Sequence, residues 1–284
     1  MMITLQNKID FSVIFSVKNA NPNGDPLNGN RPRANYDALG EVTDVCIKRK
    51  IRDRLLEKGH AIFVQADDRK VDEAKSLKAR AEAALGNKLG SSETAKLACE
   101  KWLDVRTFGQ LFAFKSSKKN AKKDEGDDGD TGVSIGIRGP VSVQSAFSVQ
   151  LVEITSTQIT KSVSGEDTKD GKKSSDKMAM KHRIDHGIYV FFGSMNPQLA
   201  EKTGFSDTDA EAIKGVLPRL FENDASSARP EGSMEVLQVI WWKHNCKSGQ
   251  YSSAKVHRTL TVNFDGGIDF VPLDGLIPEI INGF

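Results

Sequence analysis

Hydrophobic and polar residues alternate from Ile9 to Lys18. Ile9, Phe11, Val13, Phe15 and Val17 share one side, and Asp10, Ser12, Ser16 and Lys18 share the other. That period of two predicts a strand with one buried face, and only Ile14 breaks it. The strand runs into Asn19–Asn30, where Asn, Pro, Gly and Asp crowd together, so a long irregular loop follows. The loop ends in Arg31, Arg33 and Tyr36, and long loops leaving strand ends are disproportionately functional.

Next the pattern lengthens to a helical period. Ile47, Ile51 and Leu55 recur every four residues behind Thr43, which reads as an N-cap with Asp44 in the first turn. The helix runs to about Lys58 and closes at Gly59. Lys48, Arg49 and Arg52 fan out on one side of the apolar stripe, Lys50 and Arg54 on the other. Arg69–Leu85 and Ser92–Leu103 read as two Ala-rich helices, ended by Gly86 and by an extended Asp104–Gly109. Lys115–Asp130 holds five lysines and then an acidic block, the composition of an exposed loop.

Ile135–Gln150 looks like strand, interrupted at Arg138-Gly139-Pro140. Thr155–Asp185 is polar but lies between strand-like Ala146–Ile154 and Gly187–Phe192, which suggests a protruding hairpin. Ser206 caps a helix towards Glu222 that Pro218 should bend or end, and Met234–Lys243 and Lys255–Phe264 are the last strong strands. The order suits an α+β fold with a βαββαβ ferredoxin-like core carrying large insertions.

Composition narrows the function classes. The chain has 284 residues, 38% of them hydrophobic, plus 24 glycines, which excludes wholesale disorder, collagen and coiled coil. No apolar run reaches the ~18–20 residues of a membrane span, and the start has no long apolar segment, so neither a membrane nor a secretory signal is expected. Cys46, Cys99 and Cys246 lie far apart without a disulfide framework, which points to a reducing, cytoplasmic setting. Forty Lys+Arg against 38 Asp+Glu leave a formal charge of +2, so any anion site must be local.

The familiar nucleotide-binding and hydrolase motifs are absent: no P-loop, no Gly-x-Gly-x-x-Gly after a strand, no Gly-x-Ser-x-Gly elbow. His182-Arg183-Ile184-Asp185-His186 mimics an inverted zinc-peptidase motif, but that motif works on a helix and the β-rich Ile188–Phe192 follows at once. No metal and no cofactor are expected. Cations instead concentrate at the first strand's exit, on the first helix and in the hairpin, where Lys181 and Arg183 flank Met178, Met180 and His182. Such side chains neutralise phosphates, and apolar or flat ones at a hairpin tip wedge between bases. A solvated helix face and a surface loop are the bland alternative.

The sequence resembles the backbone subunit of type I-C CRISPR Cascade complexes, a RAMP protein with an RNA-recognition-motif-like core. The likeness rests on Asn19–Pro26, Val42–Arg52, Asp104–Gly109, Ile137–Val141, His186–Tyr189 and Glu222–Arg229. The Lys115–Asp130 insert, and Ala225 where the pattern prefers Arg, depart from it. The resemblance implies a non-catalytic subunit whose copies stack head to tail along a guide RNA (crRNA) beside other Cascade subunits. The guide's bases are left exposed to pair with target DNA.

It implies a palm from residues 1–60, 104–154 and 186–284, helical fingers at 61–103, a loop at 115–132 and a thumb at 155–185. Lys48, Arg49 and Arg52 would grip phosphates, with Arg31 and Arg33 just before them as further RNA contacts. Arg106, Phe108, Arg138 and Gly139 would line the same groove, Gly139 letting the strand come close. Met178 and Met180 would form the wedge, with Lys181 and His182 beside them as RNA contacts. Relatives in type III complexes imply a rival, a metal-dependent ribonuclease using a loop carboxylate such as Asp25 or Asp37, though such residues are ordinarily turn formers. A repeat-RNA processing enzyme would need His182 or His186 as general base.

Overall fold

The computed structural model describes residues 3–114, 133–161 and 177–284. The charged loop expected at 115–132 and the tip of the expected hairpin, 162–176, lie outside them.

Strand β1 (Ile9–Ala20) sits at the centre of an eight-stranded sheet. After it come the short β2 (Gly24–Asp25) and β3 (Arg31–Pro32), then β4 (Leu39–Val42) and helix α1 (Asp44–Glu57). A helical segment carries α2 (Leu77–Leu85), α3 (Thr94–Lys101) and α4 (Leu103–Phe108), and leads into the β5 (Gly109–Phe114) and β6 (Val133–Arg138) pair. Strands β7 (Val141–Val143), β8 (Ala146–Leu151), β9 (Ile154–Lys161) and β10 (Lys177–Met195) follow. Then come α5 (Pro197–Thr203), α6 (Asp207–Val216), β11 (Met234–Lys243), α7 (Ser253–His257), β12 (Leu260–Val262), β13 (Ile268–Phe270) and β14 (Glu279–Asn282). The sheet order is β14-β11-β1-β10-β8-β4, all antiparallel, with β7 and β9 also pairing with β10.

Alternation in β1 explains how the sheet is covered. Phe11, Val13, Phe15 and Val17 join Ile47, Ile51 and Leu55 of α1 and Ala210, Ile213 and Val216 of α6 in the main core. Ile14, which broke the alternation, faces the opposite way into a second core with Ile188, Ile240, Trp242 and Val256. Both faces of the sheet are therefore packed, and Asp10 and Ser12, expected at a polar surface, are fully buried. A third cluster, around Phe63, Trp102 and Phe112, belongs to the helical segment and the β5–β6 pair.

Helix α1 has the expected cap: Thr43 accepts from the Cys46 amide, and Gly59 follows at φ 85°. Three expectations are corrected. Asp104–Gly109 is not extended, because the Asp104 carboxylate, in the first turn of α4, gathers the amides of Phe63 and Val64. Helix α2 starts only at Leu77, because Asp72 and Ser76 hold nearby amides in turns and Ser76 then caps the helix. Lys255 lies in α7, where Ser252 accepts from its amide, so the last strand shrinks to Leu260–Val262. Pro218 ends α6 in a short 3-10 turn, as expected. No helix among the described residues is long and apolar enough to cross a membrane.

Candidate nucleic-acid interface

The hairpin of β9 and β10 is long because strand-forming residues continue on both sides: β10 alone spans 19 residues. Its register pairs Met178 with Thr160, Met180 with Gln158 and His182 with Ser156. Residues directly opposite in an antiparallel pair share a face, so Met178, Met180 and His182 stand in one row. Lys181, opposite Thr157, belongs to the other face. Met178 and Met180 are 68% and 53% exposed, unusual for side chains of that kind.

Arg31 reaches this row from outside the hairpin. Its Nη1 donates to Ser156 Oγ at 3.2 Å, and Ser156 Oγ lies 2.8 Å from His182 Nδ1. Arginine only donates, so Ser156 Oγ accepts from Arg31 and joins it to the His182 ring. Arg33 is 3.3 Å from Asp25, whose carboxylate also accepts from the Leu27 amide at 3.3 Å. Asp25 is thus the turn former that its neighbours predict. Asp37 lies in a second turn, its amide donating to Asn35. No group of three or more metal-ligating side chains occurs among the described residues.

On α1 the expected cations divide into two kinds. Lys48 is paired with Asp44 one turn back at 2.8 Å, and Arg49 is largely exposed, 3.4 Å from Asp68. Both are surface pairs that an anion displaces at small cost. Arg52 is different. Its Nε donates to Asp104 at 3.0 Å and its guanidinium lies over the Phe108 ring, with the two side chains of the ion pair only 13% and 1% exposed. Arg106 forks onto Asp209 at 2.8 and 3.0 Å. Burial raises the Asp209 pKa, but the Arg106 bonds and those to Ser206 outweigh it and leave the group lowered. Arg52 and Arg106 therefore bind the helical segment to α1 and α6, a structural role beside the RNA contact expected of them.

Gly139 has a structural role of the same kind. A Cβ there would collide with Thr107 O and the Phe108 carbonyl carbon, and one at Gly109 (φ 81°) with Ile137 O. These glycines let two protein backbones touch. Arg138 beside them is exposed, with no carboxylate partner among the described residues. It borders a groove of about 830 Å³ with Lys96, Glu100 and Lys202.

Three features escaped the sequence. Lys50 is buried against Asp224, which also binds Arg229 at 2.9 Å, and so fastens the Glu222–Arg229 loop to α1. Burial lowers the Lys50 pKa against the pull of Asp224. Asp10 receives His244 Nε2 at 2.9 Å and lies 3.3 Å from Lys8 and 3.5 Å from His257. Tyr36 projects wholly into solvent. Burial makes two of the thiols poor nucleophiles: it pushes Cys99 up to about 11 and raises Cys46 as well.

With this geometry in hand, comparison with known proteins gives a consistent likeness. The family model described as CRISPR-associated protein Cas7 matches residues 7–270. A CRISPR-associated protein Cas7 of Haloferax volcanii is 28% identical over 255 residues, covering 84% of this chain and 71% of its own length. Among solved structures, a chain of a CRISPR RNA-guided surveillance complex is 17% identical with a TM-score of 0.43, covering 83% of this chain and 68% of its own. A chain of such a complex in a pre-nicking state is 13% identical with a TM-score of 0.46, covering 83% and 78%.

Proposed function

Since the chain belongs to the family of CRISPR-associated Cas7 proteins, we propose that it is a guide-RNA-binding backbone subunit of a CRISPR surveillance complex, of type I-C. Copies stack along the guide with other subunits and leave its bases free to pair with target DNA. The observation that carries this reading is the β9–β10 hairpin, with exposed Met178 and Met180 in one row with half-buried His182 and Arg31 anchored at its root. Cations fix phosphates without reading sequence, and apolar side chains in a row part neighbouring bases.

The neighbouring strands β11-β1-β10-β8, with α1 and α6 packed on one face, follow the ferredoxin-like order and support a palm. Residues 155–185 are then its thumb and 61–103 its fingers. The ribonuclease alternative finds no support at Asp25, which is engaged by Arg33 and by its own turn. The subunit acts as a scaffold.

Phosphate binding falls to cations that hold no buried carboxylate: Arg31, Lys48 and Arg138. The test is salt-dependent binding of single-stranded RNA by the chain with Arg31→Ala, Lys48→Ala and Arg138→Ala combined. Affinity falls for all guide sequences alike, and the slope against log salt flattens by ~0.7 for each phosphate no longer neutralised. Unchanged affinity and slope would remove the assignment.

A further inference from the structure

Residues 33–41 form a second, much shorter hairpin. The Glu41 amide donates to Arg33 O and the Asn35 amide to Leu39 O, both at 2.9 Å. At the tip the Ala38 amide closes onto Asn35 O at 3.1 Å, and Ala38 takes φ 58°. This is a three-residue hairpin loop, a type I turn followed by a left-handed residue. Asn35 Oδ1 locks it further by accepting the amides of Asp37 at 3.0 Å and Leu39 at 2.9 Å. The turn is also tied to the sheet, with the Val152 amide on Ala38 O at 3.2 Å and the Gly40 amide on Ser148 Oγ at 2.8 Å.

On this braced tip stands Tyr36, 109% exposed, more so than any other large hydrophobic side chain among the described residues. No core cluster among the described residues includes its ring. Ala38 takes the left-handed position and Asn35 makes the side-chain bonds, so the turn asks nothing of residue 36 either. An aromatic ring carried into water on an ordered backbone offers a planar apolar surface at the cost of ordering only its own side-chain torsions. Arg31, two residues before this hairpin, reaches across to Ser156 of β9, so it ties the root of the short hairpin to the Met178, Met180 and His182 row of the long one.

We propose that Tyr36 is a stacking platform for one unpaired nucleobase of the RNA strand, resting on the RNA-binding reading above. Stacking accepts any base, as a scaffold indifferent to guide sequence requires. It also holds a base flat, a different action from the wedging assigned to Met178 and Met180.

The test titrates the full chain, Tyr36→Phe and Tyr36→Ala with a fluorescently labelled single-stranded RNA, and in parallel with an abasic ribose-phosphate oligomer of equal length. The expected result is a loss of RNA affinity of roughly 5- to 100-fold in Tyr36→Ala and none in Tyr36→Phe. Affinity for the abasic oligomer stays the same in all three proteins. Wild-type affinity of Tyr36→Ala for RNA would overturn the proposal and leave the RNA-binding reading standing. If Tyr36→Ala instead changes the oligomeric state on gel filtration with RNA affinity unchanged, Tyr36 is a protein contact and the proposal also falls. A wild-type chain that binds neither probe would refute the RNA-binding reading itself.

Discussion

Asp10 keeps a charge inside a packed sheet, where an isolated carboxylate is strongly disfavoured. Burial pushes its pKa up, but His244, His257, Ser253 and Lys8 outweigh that and hold it well below the ordinary value of 3.8. The Gln250 amide donates to His244 Nδ1 at 2.9 Å, so the proton of the neutral ring sits on Nε2 and points at Asp10. A depressed carboxyl pKa stabilises the fold fully above the unfolded-state value and loses that contribution as pH falls towards the folded one. In urea melts, wild type should therefore be more stable than Asp10→Asn at neutral pH. The gap should begin to close below about pH 4, and a gap that widens on acidification would contradict this. Arg52 shows the same logic on the cationic side. Arg52→Ala leaves Asp104 buried with its charge partner gone and should cost about 3 kcal/mol, whereas Arg138→Ala should change stability by less than ~0.5 kcal/mol. Chemical denaturation of both variants separates the arginine that holds the fold from the one free for a ligand. Sequence places Lys48 and Arg52 side by side on one helix face. Only the packed structure shows that Arg52 meets a carboxylate supplied from 52 residues away, which no local pattern records.

At the scale of elements, what sequence reveals depends on whether a segment's own residues decide its conformation. β1, α1 and β11 are legible because alternation, an N-cap and β-branched runs act locally. α4 is not: Val105 and Thr107 favour strand, and Asp104 is held by amides that come from elsewhere in the chain. α7 is hidden similarly, because Val256 and Thr259 favour strand and the cap from Ser252 overrides them. The hairpin is visible from its flanks, but not that its outgoing arm belongs to one 19-residue strand. The row of methionines leads to a prediction at this scale. Met178→Gly with Met180→Gly should leave assembly intact and flatten the periodic nucleotide-reactivity peaks of the bound guide. Peaks that persist would count against the wedge. Neither side chain belongs to a core cluster, so thermal stability should change little.

Over the whole molecule, a formal charge of +2 gives no hint of a nucleic-acid partner, and the structure shows why that figure misleads. Lys50, Arg52, Arg54, Arg80 and Arg106 are drawn inward onto carboxylates, so they count in the total but offer nothing to an anion. Many other cations stay at the surface among the described residues, Arg49, Lys96, Arg138 and Lys181 among them, and it is their placement that matters. One feature of the fold also governs how such a molecule bears load. Because β10 runs unbroken from the hairpin into the middle of the sheet, where it is hydrogen-bonded to β1 from Ile9 to Ala20, the hairpin behaves as a cantilever built into the wall that supports it. A pull along its length loads the β1–β10 ladder in shear, all bonds sharing the force together, instead of peeling them one by one. A strand of RNA under tension against that hairpin would load the central ladder of the sheet.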